Sequence, residues 1–223
     1  MASLTSSLAG QGSHFTLSTT VSIPDSAYLA GRTLHVVYVL DPHVYADQYE
    51  LAQRPGYSSV LWGTTDLEKP VSAVDADGSV LLLTANASQL SLGQAANITL
   101  EVPLHARYGR PMAGATAHNA SYSVSLKRPV GFFALDVNSA ADIPLTLRPY
   151  ASLTGWPTSP LSLVPDIAAN EPLDIVIPVG ALDDLAWVDV GTAAVMLAMF
   201  FYLFHASVRT ARRLSSRAST KTD

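Results

Sequence analysis

An all-β fold, an antiparallel sandwich-like domain followed by a single C-terminal transmembrane helix, is what the sequence predicts. Three observations carry that prediction. Apolar and polar residues alternate in several short runs, Gly, Pro and Asp punctuate those runs, and one nearly uncharged stretch of nineteen residues lies near the C-terminus. The composition fits a chain only partly solvated by water: of 223 residues, 48% are apolar and 14% charged, with a mean hydropathy of +0.24, against roughly 25% charged in a typical soluble domain. There is no cysteine, which excludes a disulfide framework, cysteine-ligated zinc, iron–sulfur clusters and thiol catalysis.

The first clear run is Phe15, Leu17, Thr19, Val21 and Ile23, interleaved with Thr16, Ser18, Thr20 and Ser22 and stopped by Pro24. That period of two belongs to a strand with one wet face. Residues 32–40 are apolar at nearly every position from Leu34 onward, as a central strand requires. Helix signals are sparse; Asp47-Gln-Tyr-Glu50 has the spacing of a capping box, and Arg54-Pro55 ends the segment. Asp77-Gly78, between 71–74 and 80–84, reads as a hairpin turn.

Along 97–108, Ile98, Leu100, Val102, Leu104, Ala106 and Tyr108 fall on one side, and Asn97, Thr99, Glu101, Pro103, His105 and Arg107 on the other. Pro103 argues for an edge or a bulge. Tyr122, Val124 and Leu126 alternate with serines, and 132–137 and 173–177 are further strand candidates. Seven prolines between 144 and 178 predict a mostly irregular segment there.

Charge divides the chain. Residues 1–189 hold 8 Lys+Arg and 17 Asp+Glu, a balance of −9, and residues 190–223 hold 5 basic residues and Asp223, a balance of +4. A nucleic-acid-binding module would gather its positive charge on the large domain, so that class is excluded. The run 190–208, VGTAAVMLAMFFYLFHASV, has His205 as its only ionisable group. At 1.5 Å per residue it spans roughly 28 Å, close to the hydrocarbon thickness of a bilayer. Asp183, Asp184 and Asp189 precede it; Arg209, Arg212, Arg213, Arg217 and Lys221 follow. The positive-inside rule then puts the basic tail in the cytosol. The expected division is a luminal β-rich domain over 1–187, a span over 188–208 and a cytosolic tail over 209–223.

Glycosylation acceptors agree with that sidedness: Asn86, Asn97 and Asn119 each open an Asn-x-Ser/Thr triplet, three of the chain's five asparagines. Against it, the start MASLTSSLAGQGSHF shows neither a basic n-region nor an apolar h-region, so no signal peptide is read there; a tail-anchored protein with a cytosolic domain is the competing topology.

Catalytic patterns are absent from the sequence. The six histidines, His14, His35, His43, His105, His118 and His205, lack the spacing of a metal helix, and no nucleophile elbow or phosphate-cradling glycine loop occurs. Asp75-Ala-Asp77-Gly78 opens like a calcium loop but lacks the later acidic ligand. Asp47 and Glu50 could pair as catalytic carboxylates, although acids at a helix start more commonly cap it. No catalytic residue, metal ligand or cofactor is expected.

Three segments in order resemble one family. They are VYADQYELA at 44–52, PLHARYGRP at 103–111, and IPVG at 177–180 ahead of a lone C-terminal transmembrane helix. Together they are similar to the PIG-X family, over a stretch from about Asp41 to the end of the helix. The resemblance implies a non-catalytic protein of the endoplasmic reticulum (ER) membrane. Its role would be to stabilise the multi-spanning mannosyltransferase PIG-M, which adds the first mannose from dolichol-phosphate-mannose in glycosylphosphatidylinositol (GPI) anchor biosynthesis. The luminal cysteines of animal members are missing here, so no shared disulfide is implied.

Candidate partner-binding residues follow from the motifs and the strand pattern. The outward row gives His105 and Arg107, with Arg110 just beyond; the alternative role of Arg107 and Arg110 is pairing with domain acids such as Asp47 or Glu50 to fix the fold. Tyr45, Asp47, Tyr49, Glu50 and Tyr108 belong to the same motifs, the tyrosines at 45 and 49 being expected to pack inside. Gly191, Ala194 and Ala198 place small side chains along one helix face, which permits close approach of a partner helix. A single-pass secretory-pathway or cell-surface receptor with a sandwich ectodomain would show the same topology and acceptors.

Overall fold

The computed structural model describes residues 1–25, 31–64, 66–85, 95–114, 120–135 and 161–219. They form two units, Met1–Arg110 with Ser121–Val179, and Pro111–Ala120 with Gly180–Asp223.

The first unit is built of antiparallel sheets. Strands β1 (Ser3–Gln11) and β2 (His14–Ile23) form a hairpin whose two-residue loop holds Gly12 at φ +72°, a conformation available to glycine at little cost. β2 then pairs along its full length with β7 (Ala96–Ala106), and β7 with the short β4 (Val44–Tyr45), so one sheet runs β1-β2-β7-β4. A five-stranded sheet runs β10 (Leu161–Val164), β9 (Val130–Leu135), β3 (Arg32–Leu40), β6 (Ser79–Ala85), β5 (Tyr57–Trp62). β8 (Ser121–Leu126) and β11 (Leu173–Pro178) make a third, two-stranded sheet.

The expected alternation in β2 holds position by position: Phe15, Leu17, Thr19, Val21 and Ile23 are all buried. Their row merges with Leu34, Val36, Tyr38 and Leu40 of β3, Leu81 and Leu83 of β6, Leu100, Val102 and Leu104 of β7, and Ile175 and Ile177 of β11 into one apolar core. Each such side chain contributes about 1.5–3 kcal/mol on burial. β3 is the central strand its uniform apolarity predicts, because its other face is also buried, with Val37 beside Leu82 and Phe132 in a second cluster. Polar groups in the core are few. Ser6 and Thr19 share a hydrogen bond at 3.2 Å, and the Tyr57 hydroxyl on β5 donates to the Glu101 carbonyl on β7 at 2.7 Å, linking the two larger sheets.

Pro103 sits where its missing N–H costs nothing. The Ala106 N–H points to the β2 side, donating to Ser13 O, and the Arg107 N–H points the other way, to His43 O. Counting back in twos puts the ring nitrogen of Pro103 on the outer edge, beyond the reach of the two-residue β4.

Several expectations change. Residues 71–73 form a 3-10 turn started by Pro70, not the first arm of a hairpin; β6 pairs instead with β3 and β5. The Asp77-Gly78 turn itself stands, closed by Gly78 N–H to Asp75 O. Strands β1, β4, β5 and β10 emerge where the sequence shows no strand pattern, and β10 interrupts the proline-rich segment; positions 144–160 of that segment, and 136–137 of the strand candidate at 132–137, lie outside the described residues.

In the second unit, the Met112 N–H donates to Gly180 O and the Leu182 N–H to Met112 O, both at 2.9 Å, and a 3-10 turn at Leu182–Asp184 leads into the long helix. That helix is labelled α2 (Leu185–Ser219), α1 being the short Gln48–Ala52 helix of the first unit. Asp183 and Asp184 stand at the N-terminal end of α2, where the helix dipole favours them. Its apolar side chains are exposed, Trp187 at 81% and Phe200 at 60%, and none of the 18-residue apolar window is buried. So much exposed Leu, Phe and Met would be untenable in water, and the length and hydropathy suit a membrane span. The helix runs past Val208 through the arginines to Ser219.

Candidate partner-contact surface

Register brings three side chains into a row. Tyr45 on β4 lies opposite His105 on β7, and His105 opposite His14 on β2; directly opposed residues point to the same face of a sheet. Their rings touch in sequence. Tyr45 stacks on His105 at 5.2 Å between centroids, and His105 meets His14 edge to face at 4.8 Å, with the two Nδ1 atoms 2.7 Å apart and one hydrogen bond between them.

The other nitrogen of His105, Nε2, lies 2.9 Å from Glu50 Oε2 on α1. Asp47 caps that helix, accepting from the Tyr49 N–H at 2.8 Å. In a complete capping box Glu50 would reach back to the cap. Here its carboxylate is turned to His105 and to Arg54, 3.8 Å away, and Arg54 continues to Glu101 at 3.3 Å. A groove of about 330 Å³ opens beside this chain of groups, lined by His14, Thr16, Glu50, Arg54, Pro103 and His105 among others.

Arg107 departs from its expected place as an outward contact. It is 3% exposed, because the segment around 66–69 roofs that end of the row. Its Nη1 donates to the Asp66 carbonyl at 2.6 Å and the Lys69 carbonyl at 3.0 Å, and the guanidinium lies 4.7 Å above the Tyr45 ring. The pairing with Asp47 or Glu50 is replaced by these main-chain acceptors. Burial lowers the Arg107 pKa, opposed by Tyr45 and Asp66, while burial raises that of Tyr45, opposed by Arg107. The two tyrosines divide differently than expected: Tyr45 is half-buried, but Tyr49 is 69% exposed, since α1 buries only Leu51. Tyr108 reverses as well. The period of two sets it on the inward side, yet β7 ends at Ala106 and Tyr108 is 82% exposed.

Arg110 is exposed, and its carbonyl accepts from the Tyr122 hydroxyl. Gly109 is held by packing, a Cβ there falling 2.6 Å from the Tyr122 ring. Asn97 is exposed on the sheet, with Thr99 Oγ1 3.1 Å from Thr20 Oγ1; Asn86 and Asn119 lie outside the described residues. Gly191, Ala194 and Ala198 are exposed on α2, and nothing lies within 4 Å of a Cβ built at Gly191. Sequence reading missed His14 and Arg54 as members of the cluster; the pairing of β2 with β7 that joins His14 to His105 spans 91 residues, and no local signal encodes it.

Among the described residues no group of three or more side chains could hold a metal ion. What the row offers is a surface of imidazole and phenol groups held by hydrogen bonds, with the exposed Tyr49 on the adjoining helix.

A β-rich domain carrying this aromatic row, joined in one chain to an apolar helix long enough to cross a membrane, fits the class of single-pass membrane proteins. The family comparison is more particular: the model of the PIG-X / PBN1 family matches residues 10–208, and the chain belongs to that family. Membership carries an accessory role related to GPI-anchor biosynthesis. No curated protein and no solved structure matches the chain.

Proposed function

We propose that this chain is a non-catalytic ER membrane subunit that binds and stabilises PIG-M, the multi-spanning mannosyltransferase adding the first mannose in GPI-anchor biosynthesis. The observation that carries the reading is the extent of the family match, which takes in the sheet domain and the apolar span together. The charge asymmetry around α2 supports a luminal domain over 1–187, a span over 188–208 and a cytosolic end over 209–223. Binding to the folded form of the transferase alone shifts that enzyme toward its folded, retained state by mass action, without turnover by this chain.

The contact surface we assign is the His105 row with its exposed tyrosines, Tyr49 and Tyr108; Tyr45, Asp47 and Glu50 position it. Arg107, buried beneath 66–69, serves the fold. The test is affinity purification of the full-length chain from membranes in mild detergent. PIG-M is expected to co-purify with the wild type, and its recovery to fall at least several-fold with Tyr49→Ala and Tyr108→Ala combined, exposed positions whose loss leaves the melting temperature unchanged. Undiminished recovery with the folded double variant removes this surface from the interface. Absence of any transferase from the wild-type eluate, with mature surface glycans on the chain, would favour the receptor reading instead.

A further inference from the structure

The helix does not end where the apolar span ends. α2 covers 35 residues, Leu185–Ser219, about 52 Å of helix, whereas 190–208 need only roughly 28 Å. At about 100° per residue, His205, Arg209, Arg212 and Arg213 fall within an arc of about 100°. Ser207, Ala211 and Leu214 lie on the opposite side. Phe204, His205, Val208, Arg209, Arg212 and Arg213 line a shallow groove of about 640 Å³. Its lower end is apolar and its upper end cationic. No acidic residue follows until Asp223.

We infer that this groove is a binding site for the headgroup of an anionic phospholipid. Arg209 and Arg212 would take the phosphate by planar, multiply donated hydrogen bonds. Val208 and Phe204, one and two turns before Arg212, would receive the glycerol and first methylenes of the acyl chains. Charge complementarity selects the occupant: juxtamembrane arginines gain roughly 1 kcal/mol each from an anionic leaflet, and a zwitterionic headgroup offers no such net attraction. The continuous helix sets the two arginines in fixed phase with the apolar floor, which a disordered basic tail would not do.

The inference rests on α2 being a membrane span, so the experiment separates the two. Full-length protein is first tested for flotation with phosphatidylcholine vesicles; failure to float would overturn both the span and the site. Floating protein is then extracted from vesicles containing phosphatidylcholine and phosphatidylserine, and retained lipid is counted by native mass spectrometry. Wild type is expected to keep phosphatidylserine in preference to phosphatidylcholine, and excess inorganic phosphate to leave that lipid bound. The Arg209→Gln/Arg212→Gln variant should float equally well but lose the preference roughly thirty-fold, while Arg209→Lys/Arg212→Lys keeps part of it, the charge remaining and the planar fork being lost. Equal retention of the two lipids by wild type, an unchanged preference in the glutamine variant, or displacement by inorganic phosphate would each overturn the site.

Discussion

Arg107 carries its charge beneath a loop, and its guanidinium is the strut that holds that loop down. Two carbonyls, those of Asp66 and Lys69, and the face of Tyr45 are its partners. Replacing it with alanine leaves those acceptors unmet in a water-poor site, a loss of about 2–3 kcal/mol. Arg107→Ala should therefore lower the melting temperature of the full-length chain in detergent, and Arg107→Lys should restore it only in part, since an ammonium can donate to both carbonyls but cannot lay a planar face on the Tyr45 ring. An unchanged melting temperature for the alanine variant would show that 66–69 is held by other contacts. Gly78 gives a second residue-scale expectation. Its φ is +70°, and a Cβ there would fall 2.0 Å from the Leu40 carbonyl oxygen, whereas at Gly12, with φ +72°, nothing lies within 4 Å. Both alanine variants meet the left-handed cost of about 1–2 kcal/mol, and Gly78→Ala adds the clash. Thermal unfolding should rank it clearly below Gly12→Ala; equal losses would mean the turn relaxes freely.

At the scale of elements, the link between the two larger sheets is partly a phenol. Tyr57 on β5 donates to a carbonyl on β7, and burial pushes its pKa up from 10.0 to about 12. Its neutral form is thus favoured in the folded state. The contribution is intact below about pH 10 and is lost as pH rises toward 12. Tyr38, fully buried opposite Thr19, is pushed up further by desolvation, which Thr19 moderates without completing a hydrogen bond. The melting temperature should fall steeply between pH 10 and 12, and Tyr57→Phe should flatten part of that fall. An absorbance titration showing Tyr57 ionising near pH 10 in the folded chain would contradict the burial. Strands that alternate strictly or are apolar throughout, such as β2, β3 and β7, were legible in the sequence because their pattern is set by the core they face. β1 was not: Ser3, Thr5, Ser6 and Ser7 dilute its apolar signal, and only its pairing with β2 makes Leu4 and Ser6 inward residues. β5 and β10 are short edge strands, recognisable only from the neighbours they pair with. The candidate surface was half legible for the same reason. His105 follows from motif and period, while the exposure of Tyr49 reverses its expected packing and the burial of Arg107 depends on a loop some forty residues away in sequence.

For the whole molecule, one chain joins a sheet domain to an apolar helix whose flanks carry opposite charge. The assigned sidedness leaves the sheet domain protected from protease in sealed microsomes, with cleavage confined to the arginine-rich end. Digestion of the sheet domain under those conditions would invert the topology. The span itself was legible from 190–208 alone, since apolar length needs no tertiary context, but the continuation of α2 to Ser219 was not, because arginine and alanine are equally at home in a helix or a solvated tail. The stabilising role adds a requirement in the cell: the transferase must depend on this chain for its survival. The most direct measurement is the half-life of PIG-M in cells with and without the chain, followed by pulse-chase. A sharp shortening on removal, reversed by the wild type and not by the Tyr49→Ala/Tyr108→Ala variant, is the expected result; a half-life that does not change when the chain is removed would contradict the role.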